Sequence, residues 1–546
     1  MILQICLKNP NMNISLSSSI SYSRPLPYKA PSFSLSQCSV NHNRRLRLGI
    51  FCSISQSQIH SYGTVDYERR PMVKWNAIYK RISLMEKPEL GSGTVLSQWE
   101  REGRQLSKWE LCRVVKELRK YKRFDRALEV YDWMNNRGER FRLSSSDAAI
   151  QLDLIGKVRG ISSAENFFLS LSDTSKDRRI YGALLNAYVQ ARMKEKAESL
   201  LDRMRGKGYA IHSLPFNVMM TLYMNLKEYK KVDAMVSEMM DKNIQLDVYS
   251  YNIWLSCCGS QGSAEGMEQV FEQMQQDKSI NPNWTTFSTM ATMYIKMGQF
   301  QKAEECLRKV ESRITGRDRI PYHYLLSLYG SVGNKEEIYR VWKVYKAIFP
   351  SIPNLGYHAI ISSLLRIGDI EGAENIYNEW LPVKSSYDPR IANLFMSYYV
   401  RNGNLEKATS LVDHIIEVGG KPNSATWEIL AAGHTGERRI SEALSYWKEA
   451  FAAEGAKNWR PKPVNVSAFL DLCEQEADLE CKEVLVGLLR EAGYLKDQSY
   501  ASFVGFSHEA INDNGITSVD VSFENDNDEN KDDESGILFN QLQGSP

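Results

Sequence analysis

Apolar residues along this chain return on two periods at once. The short period is helical: Ala197, Leu200, Leu201 and Met204 stand at i, i+3, i+4 and i+7, and Ala127, Val130, Tyr131 and Met134 repeat the pattern. Each set therefore lies on one helix face. The long period is about 35 residues. Phe216, Tyr251, Phe287 and Tyr322 are spaced 35, 36 and 35 apart, Tyr181 and Tyr357 extend the series by 35 on either side, and Trp427 stands 70 beyond Tyr357. A second ruler runs half a period later through Ala127, Ala197, Val232, Met267, Ala303, Ile338, Ala373, Ala408 and Ala443. Small or compact apolar residues at one helical position let neighbouring helices approach closely.

Each period reads as helix A, a short turn, helix B and a loop. Asn225-Leu226-Lys227-Glu228, Lys296-Met297-Gly298-Gln299 and Asn402-Gly403-Asn404 supply turns within hairpins, and Ile280-Asn281-Pro282-Asn283 and Gly419-Gly420-Lys421-Pro422-Asn423 supply loops between them. Such residues stop helices. One hairpin cannot bury its apolar face alone, so stacked neighbours must form the core. The fold class predicted is all-α, a solenoid of about ten hairpins over 108–460, starting near 108, 143, 178, 213, 248, 284, 319, 355, 389 and 424. The unit 143–177 is irregular, because Ala164 falls two residues out of phase. Residues 66–107 and 463–495 read as terminal helical caps, or as two further degenerate repeats.

The 546 residues exceed one compact core, and a repeat array accommodates them. A net charge of +2 conceals a gradient: residues 1–65 carry +6, residues 508–546 carry −9 and the middle +5. Residues 1–60 are rich in Ser and Asn and lack acids, which is the composition of an organelle transit peptide. Ile50-Phe51-Cys52-Ser53 looks like a plastid processing site, so the plastid stroma is favoured over the mitochondrion. The acidic, Asn-rich segment 508–546 is expected to stay solvated and disordered, as a spacer or as a mimic of a polyanion. No apolar run is long enough to span a membrane. The nine cysteines form no Cys-x-x-Cys pair, so neither a disulfide framework nor a zinc site is expected. Cys257-Cys258 reads as core rather than as a redox centre.

Ser250-Tyr251-Asn252-Ile253, Gly298-Gln299-Phe300-Gln301-Lys302-Ala303-Glu304, Asn402-Gly403-Asn404-Leu405-Glu406-Lys407-Ala408 and Gly420-Lys421-Pro422-Asn423-Ser424-Ala425-Thr426-Trp427 carry a resemblance. Over about 108–460 the chain resembles the plant P-class pentatricopeptide repeat proteins; tetratricopeptide repeats have a shorter period. The resemblance implies a right-handed, tetratricopeptide-like α-solenoid that binds single-stranded organelle RNA along a concave groove. It implies that the polar residue after the helix-A aromatic, with the last residue of the same repeat, reads one base. Asn217 with Asp247 then suggests uracil. Asn252 with Asn283 suggests a pyrimidine, with Tyr249 placed to stack. Ser288 with Asp318 suggests a purine, and Asn393 with Asn423 a pyrimidine. The remaining units depart from the pattern: Gly182 with His212, His323 with Asn354, His358 with Asp388, Asp147 with Asp177, and Glu428, whose carboxylate would repel phosphate.

Alternatives stand beside these readings. Asn217 and Asn252 would also suit capping or solvation of helix A, and His323 and His358 would suit a solvated groove better than a metal or acid–base pair. Two function classes follow: an RNA-binding adaptor, with protein partners of RNA processing, or a protein-binding scaffold. A phosphate loop, Gly-x-Ser-x-Gly, His-Glu-x-x-His and the His-x-Glu with Pro-Cys-x-x-Cys of zinc deaminases are all missing, so no enzyme, catalytic residue, metal, cofactor or small-molecule substrate is expected.

Overall fold

The computed structural model describes residues 73–501, apart from 86–89, 317, 385–386, 454–458 and 497. The expected transit peptide with its processing site, residues 66–72 of the N-terminal cap and the acidic segment 508–546 lie outside the described residues. The chain divides into two units, 1–64 with 542–546 and 65–541, of which only the second contains described residues.

Among the described residues, twenty-four α-helices of 10 to 15 residues form twelve successive hairpins. Helices of this length are marginal in water, so packing must hold them. Their ends are built locally. Ser107, Ser144, Asp177, Asp247, Asn283, Asp388 and Asn423 each sit just before a helix A and accept its first free amides. Ser263, Asn334, Asp369, Asn404 and Asp478 do the same for helices B. The turn from A to B passes through a left-handed residue, supplied by Gly298 (φ 72°) or Gly403 (φ 69°) in some hairpins and by Lys227 (φ 58°) or Ala477 (φ 58°) in others.

The two rulers are the core. Tyr181, Phe216, Tyr251, Phe287, Tyr322 and Tyr357 are all buried, and all nine members of the second ruler are completely buried. Each of those nine is the fourth residue of its helix B, for example Ala197 in Lys194–Gly206 and Ala408 in Leu405–Glu417. Ala164, also fully buried, is likewise the fourth residue of Ile161–Ser170. Its phase slip arises upstream. Helix Ser145–Arg159 starts two residues late and meets the next helix across Gly160 alone (φ 85°).

Every helix A from Arg178–Gln190 to Ser424–Gly436 packs on the next helix A and on its own helix B. Close approach along this row uses glycine. A Cβ on Gly259 would lie 2.4 Å from Met293, and one on Gly330 2.7 Å from Ser363, each on the following helix A. Among the described residues, close backbone approach of one helix B to the next is found at the ends, between Gly91–Arg101 and Phe124–Asn135 and between Ile440–Ala452 and Leu479–Glu491.

Candidate functional site

Asn217, Asn252, Ser288 and Asn393 share one address: each is the fifth residue of its helix A. Asp247, Asn283 and Asn423 share another, the cap of the following helix A. Stacking brings the two addresses together. Asn217 Nδ2 donates to both carboxylate oxygens of Asp247 at 3.1 and 3.2 Å, and Ser250 Oγ donates to Asn217 Oδ1 at 2.7 Å. Asp247 also caps through Ser250 N at 2.8 Å and accepts from Ser213 Oγ at 2.6 Å. The same triangle recurs five repeats on. Asn393 Nδ2 donates to Asn423 Oδ1 at 3.2 Å, and Thr426 Oγ1 donates to Asn393 Oδ1 at 2.9 Å. Asn217 and Asn393 therefore neither cap nor solvate helix A: both are buried, and the cap of the next helix orients them.

The units 248–283 and 284–318 differ. Asn252 Nδ2 donates to Thr285 Oγ1 at 3.0 Å, and Thr285 Oγ1 donates on to Asn283 Oδ1 at 2.5 Å, so a hydroxyl bridges the pair. Asn252 Oδ1 and Ser288 Oγ are buried polar atoms without a protein partner. Asp318 accepts from Ile320 N at 3.0 Å. Tyr249 is half-buried, its hydroxyl 3.4 Å from Thr221 Oγ1. It is the second residue of helix A, the position at which Leu214, Leu355 and Val464 stay 41%, 44% and 59% exposed. The bridging Thr285, the anchors Ser250 and Thr426 and this apolar column were not found from the sequence. The hydroxyls three residues beyond Asp247 and Asn423, in capping-box spacing, were the available signal.

Several expected pairs do not form. His323 is not solvated. Its Nε2 lies 2.9 Å from Tyr345 OH, and burial pushes its pKa down to about 4. Asn354, expected beside it, instead accepts from Trp380 Nε1 at 2.9 Å. Glu428 does not face phosphate either. It is buried and accepts from Trp459 Nε1 at 3.1 Å, Lys462 N at 2.7 Å and Asn465 Nδ2 at 2.9 Å, tying the following hairpin to its own. Burial raises its pKa. Asp147 and Asp177 are separated by role: Asp147 bonds Ser144 Oγ and Lys108 Nζ, both at 2.7 Å, while Asp177 caps Arg178–Gln190. Among the described residues no cluster of three or more His, Cys, Asp or Glu is placed to hold a metal, and no helix is long and apolar enough to cross a membrane. Cys257 lies in the core, its thiol pushed up to about 12 by burial.

Charge separates by row. The seven helices A from Arg178–Gln190 to Pro389–Arg401 contain no Asp or Glu and six cations: Arg178, Arg179, Lys296, Arg366, Arg390 and Arg401. Their seven partner helices B hold twenty acids against fourteen Lys or Arg. Many of the B charges pair across repeats, as in Lys231–Glu198 at 2.7 Å, Lys302–Glu268 at 2.7 Å and Lys346–Glu379 at 2.9 Å. The A row thus combines cations, exposed apolar side chains and unpartnered polar atoms on one set of helices.

Comparison with known proteins agrees with this architecture. Models of the pentatricopeptide repeat match residues 179–209, 215–244, 285–313 and 391–419, and a model of the pentatricopeptide repeat domain matches 234–297. The pentatricopeptide repeat-containing protein At1g02150 of Arabidopsis thaliana is 64% identical over 504 residues, 92% of this chain and 94% of that one. A second Arabidopsis thaliana protein, pentatricopeptide repeat-containing protein At2g20710, mitochondrial, is 34% identical over 78% of this chain and 86% of its own length. The crystal structure of PPR10 from maize superposes with a TM-score of 0.44 at 16% identity, over 74% of this chain and 62% of that one.

Proposed function

Since the chain belongs to the pentatricopeptide repeat family, we propose that it binds single-stranded organelle RNA along its helix-A row and acts as an adaptor in RNA stabilisation, processing, splicing or translation. The observation that carries this reading is the run of seven helices A without a single acid. Within those helices a phosphate backbone meets no like charge, the carboxylates of Asp177, Asp247 and Asp388 being engaged at the caps, and bases meet exposed apolar side chains such as Leu214 and Leu355. Base stacking and base-edge hydrogen bonds are each worth about 1–3 kcal/mol.

In this reading Asn217 with Asp247, Asn252 with Asn283, Ser288 with Asp318 and Asn393 with Asn423 are the base readers, and Tyr249 is a stacking platform. Asn252 and Ser288 have the least to give up, because Asn252 Oδ1 and Ser288 Oγ have no internal partner, and a base reaches these buried atoms once the side chains over them part. The terminal hairpins 73–101 and 463–491 close the array. Binding alone blocks an exonuclease or unfolds a hairpin, so no catalytic residue or cofactor is required.

The acid-free N-terminal composition supports an organelle address, as does the mitochondrial name of the relative at 34% identity. The Cys52 segment points to the plastid stroma and the relative's name to the mitochondrion. A fluorescent fusion of residues 1–65 separates the two.

Selection from a random single-stranded RNA pool tests the function. The expected motif is 5′-uracil, pyrimidine, purine, read by 213–318 in order, and Asn252→Ala should relax its second position only. A pool that returns with no enriched motif overturns sequence-specific reading. A protein-binding scaffold is the second reading, favoured by the units whose polar groups are engaged internally, such as His323 on Tyr345. Association that survives RNase in an organelle pull-down would select it.

A further inference from the structure

The acid-free row has a complement in the same chain. Between Glu524 and Glu534 the sequence holds seven carboxylates against the single cation Lys531. We propose that this segment docks on the helix-A row around Arg366, Arg390 and Arg401 and occupies it until RNA displaces it. The docking rests on charge and reach; its effect on RNA rests on the function proposed above.

Three observations argue for this site. First, Arg366 and Arg401, on consecutive helices A, line one notch with Leu394, Ser397 and Tyr398. No carboxylate belongs to either helix, although Arg366 also donates to Ser327 O at 3.3 Å and to Ser331 Oγ, and Arg390 donates to both oxygens of Asp388 at 3.0 and 2.8 Å, so the segment has to share these cations. Second, the alternatives are worse. Row B has more acids than cations, and the last helix of type A, Pro463–Gln475, exposes Asp471 and Glu474, which turn an acidic chain away. Third, the tether suffices. Helix Pro389–Arg401 is two helix-A steps from Pro463–Gln475, on the order of 20 Å at ~10 Å per step. The two dozen residues from Tyr500 to Glu524 reach at most ~80 Å. A tether of that length holds the segment at an effective concentration of about a millimolar, so individually weak ion pairs still populate the contact. RNA wins because it runs along the whole row and adds stacking.

Two measurements on the full chain test this. With p-benzoylphenylalanine in place of Phe523, ultraviolet light should crosslink the segment to helices Asn354–Arg366 and Pro389–Arg401 at low salt but not at high salt. Crosslinks confined to helices B, or none, would overturn the docking. Amidating the seven carboxylates, from Glu524→Gln to Glu534→Gln, should tighten binding of random single-stranded RNA on the order of tenfold at low salt, and equal affinity overturns the competition. If neither protein binds RNA, the functional reading has failed and the crosslinks alone decide the docking.

Discussion

At the scale of single residues, Asp247 does two jobs with one carboxylate. It caps helix Val248–Ser260 and holds Asn217 in the preceding repeat. Asp247→Ala should therefore cost stability, about 1–3 kcal/mol in a denaturant melt, from the lost cap and the unpaired Asn217 amide. Asp247→Asn should keep the cap, stay within about 0.5 kcal/mol of the parent and weaken the preference for uracil. If the asparagine variant melts as early as the alanine variant, the carboxylate charge matters for more than capping. The two structural addresses, the fifth residue of helix A and the cap of the next helix A, were legible in the sequence because the period repeats. Their partners were less so, since Thr285 and Tyr345 reach Asn252 and His323 across a helix interface. The burial of Glu428 follows from donors on a hairpin whose first residue is 35 positions away, a distance no local pattern spans.

At the scale of the helix, what matters is how closely neighbours approach. Gly330 lets helix Ile320–Val332 lie against Ser363 of the next helix A, and a Cβ there would sit 2.7 Å from the serine Cβ and 3.0 Å from its Cα. Ser363 Oγ in turn donates to Leu326 O at 2.9 Å. Gly330→Ala should push the two helices apart and cost about 1–3 kcal/mol, measured as a lower denaturation midpoint. Gly436→Ala, near the end of another helix A with open space around it, should raise stability by up to about 1 kcal/mol through helix propensity. Equal effects at both sites would show that packing along the row is loose. Helix boundaries were legible within a residue or two wherever an Asn, Asp or Ser cap met a Gly turn. The unit at 143–177 departs because its first helix starts two residues late and runs on to Arg159, which carries Ala164 out of phase with the other hairpins.

At the scale of the whole array, segregated charge should set the salt response. Six cations on the A row predict that log affinity for single-stranded RNA falls with log salt at a slope of about −4. Arg366→Gln with Arg401→Gln should make the slope shallower by about 1.4. Lys196→Gln with Lys302→Gln, on row B and paired with Glu165 and Glu268, should leave it unchanged. Gly160 bears on the same question from another side. The run of helices A without Asp or Glu opens at Arg178, just past the hairpin that Gly160 turns and whose second helix, Ile161–Ser170, is cut to 10 residues. Nucleotides cannot be assigned to hairpins by counting from the first one. On the proposed reading, the regular frame of one repeat per nucleotide starts at Arg178, and an alignment that gives the irregular hairpin before it a nucleotide would displace every base after it by one.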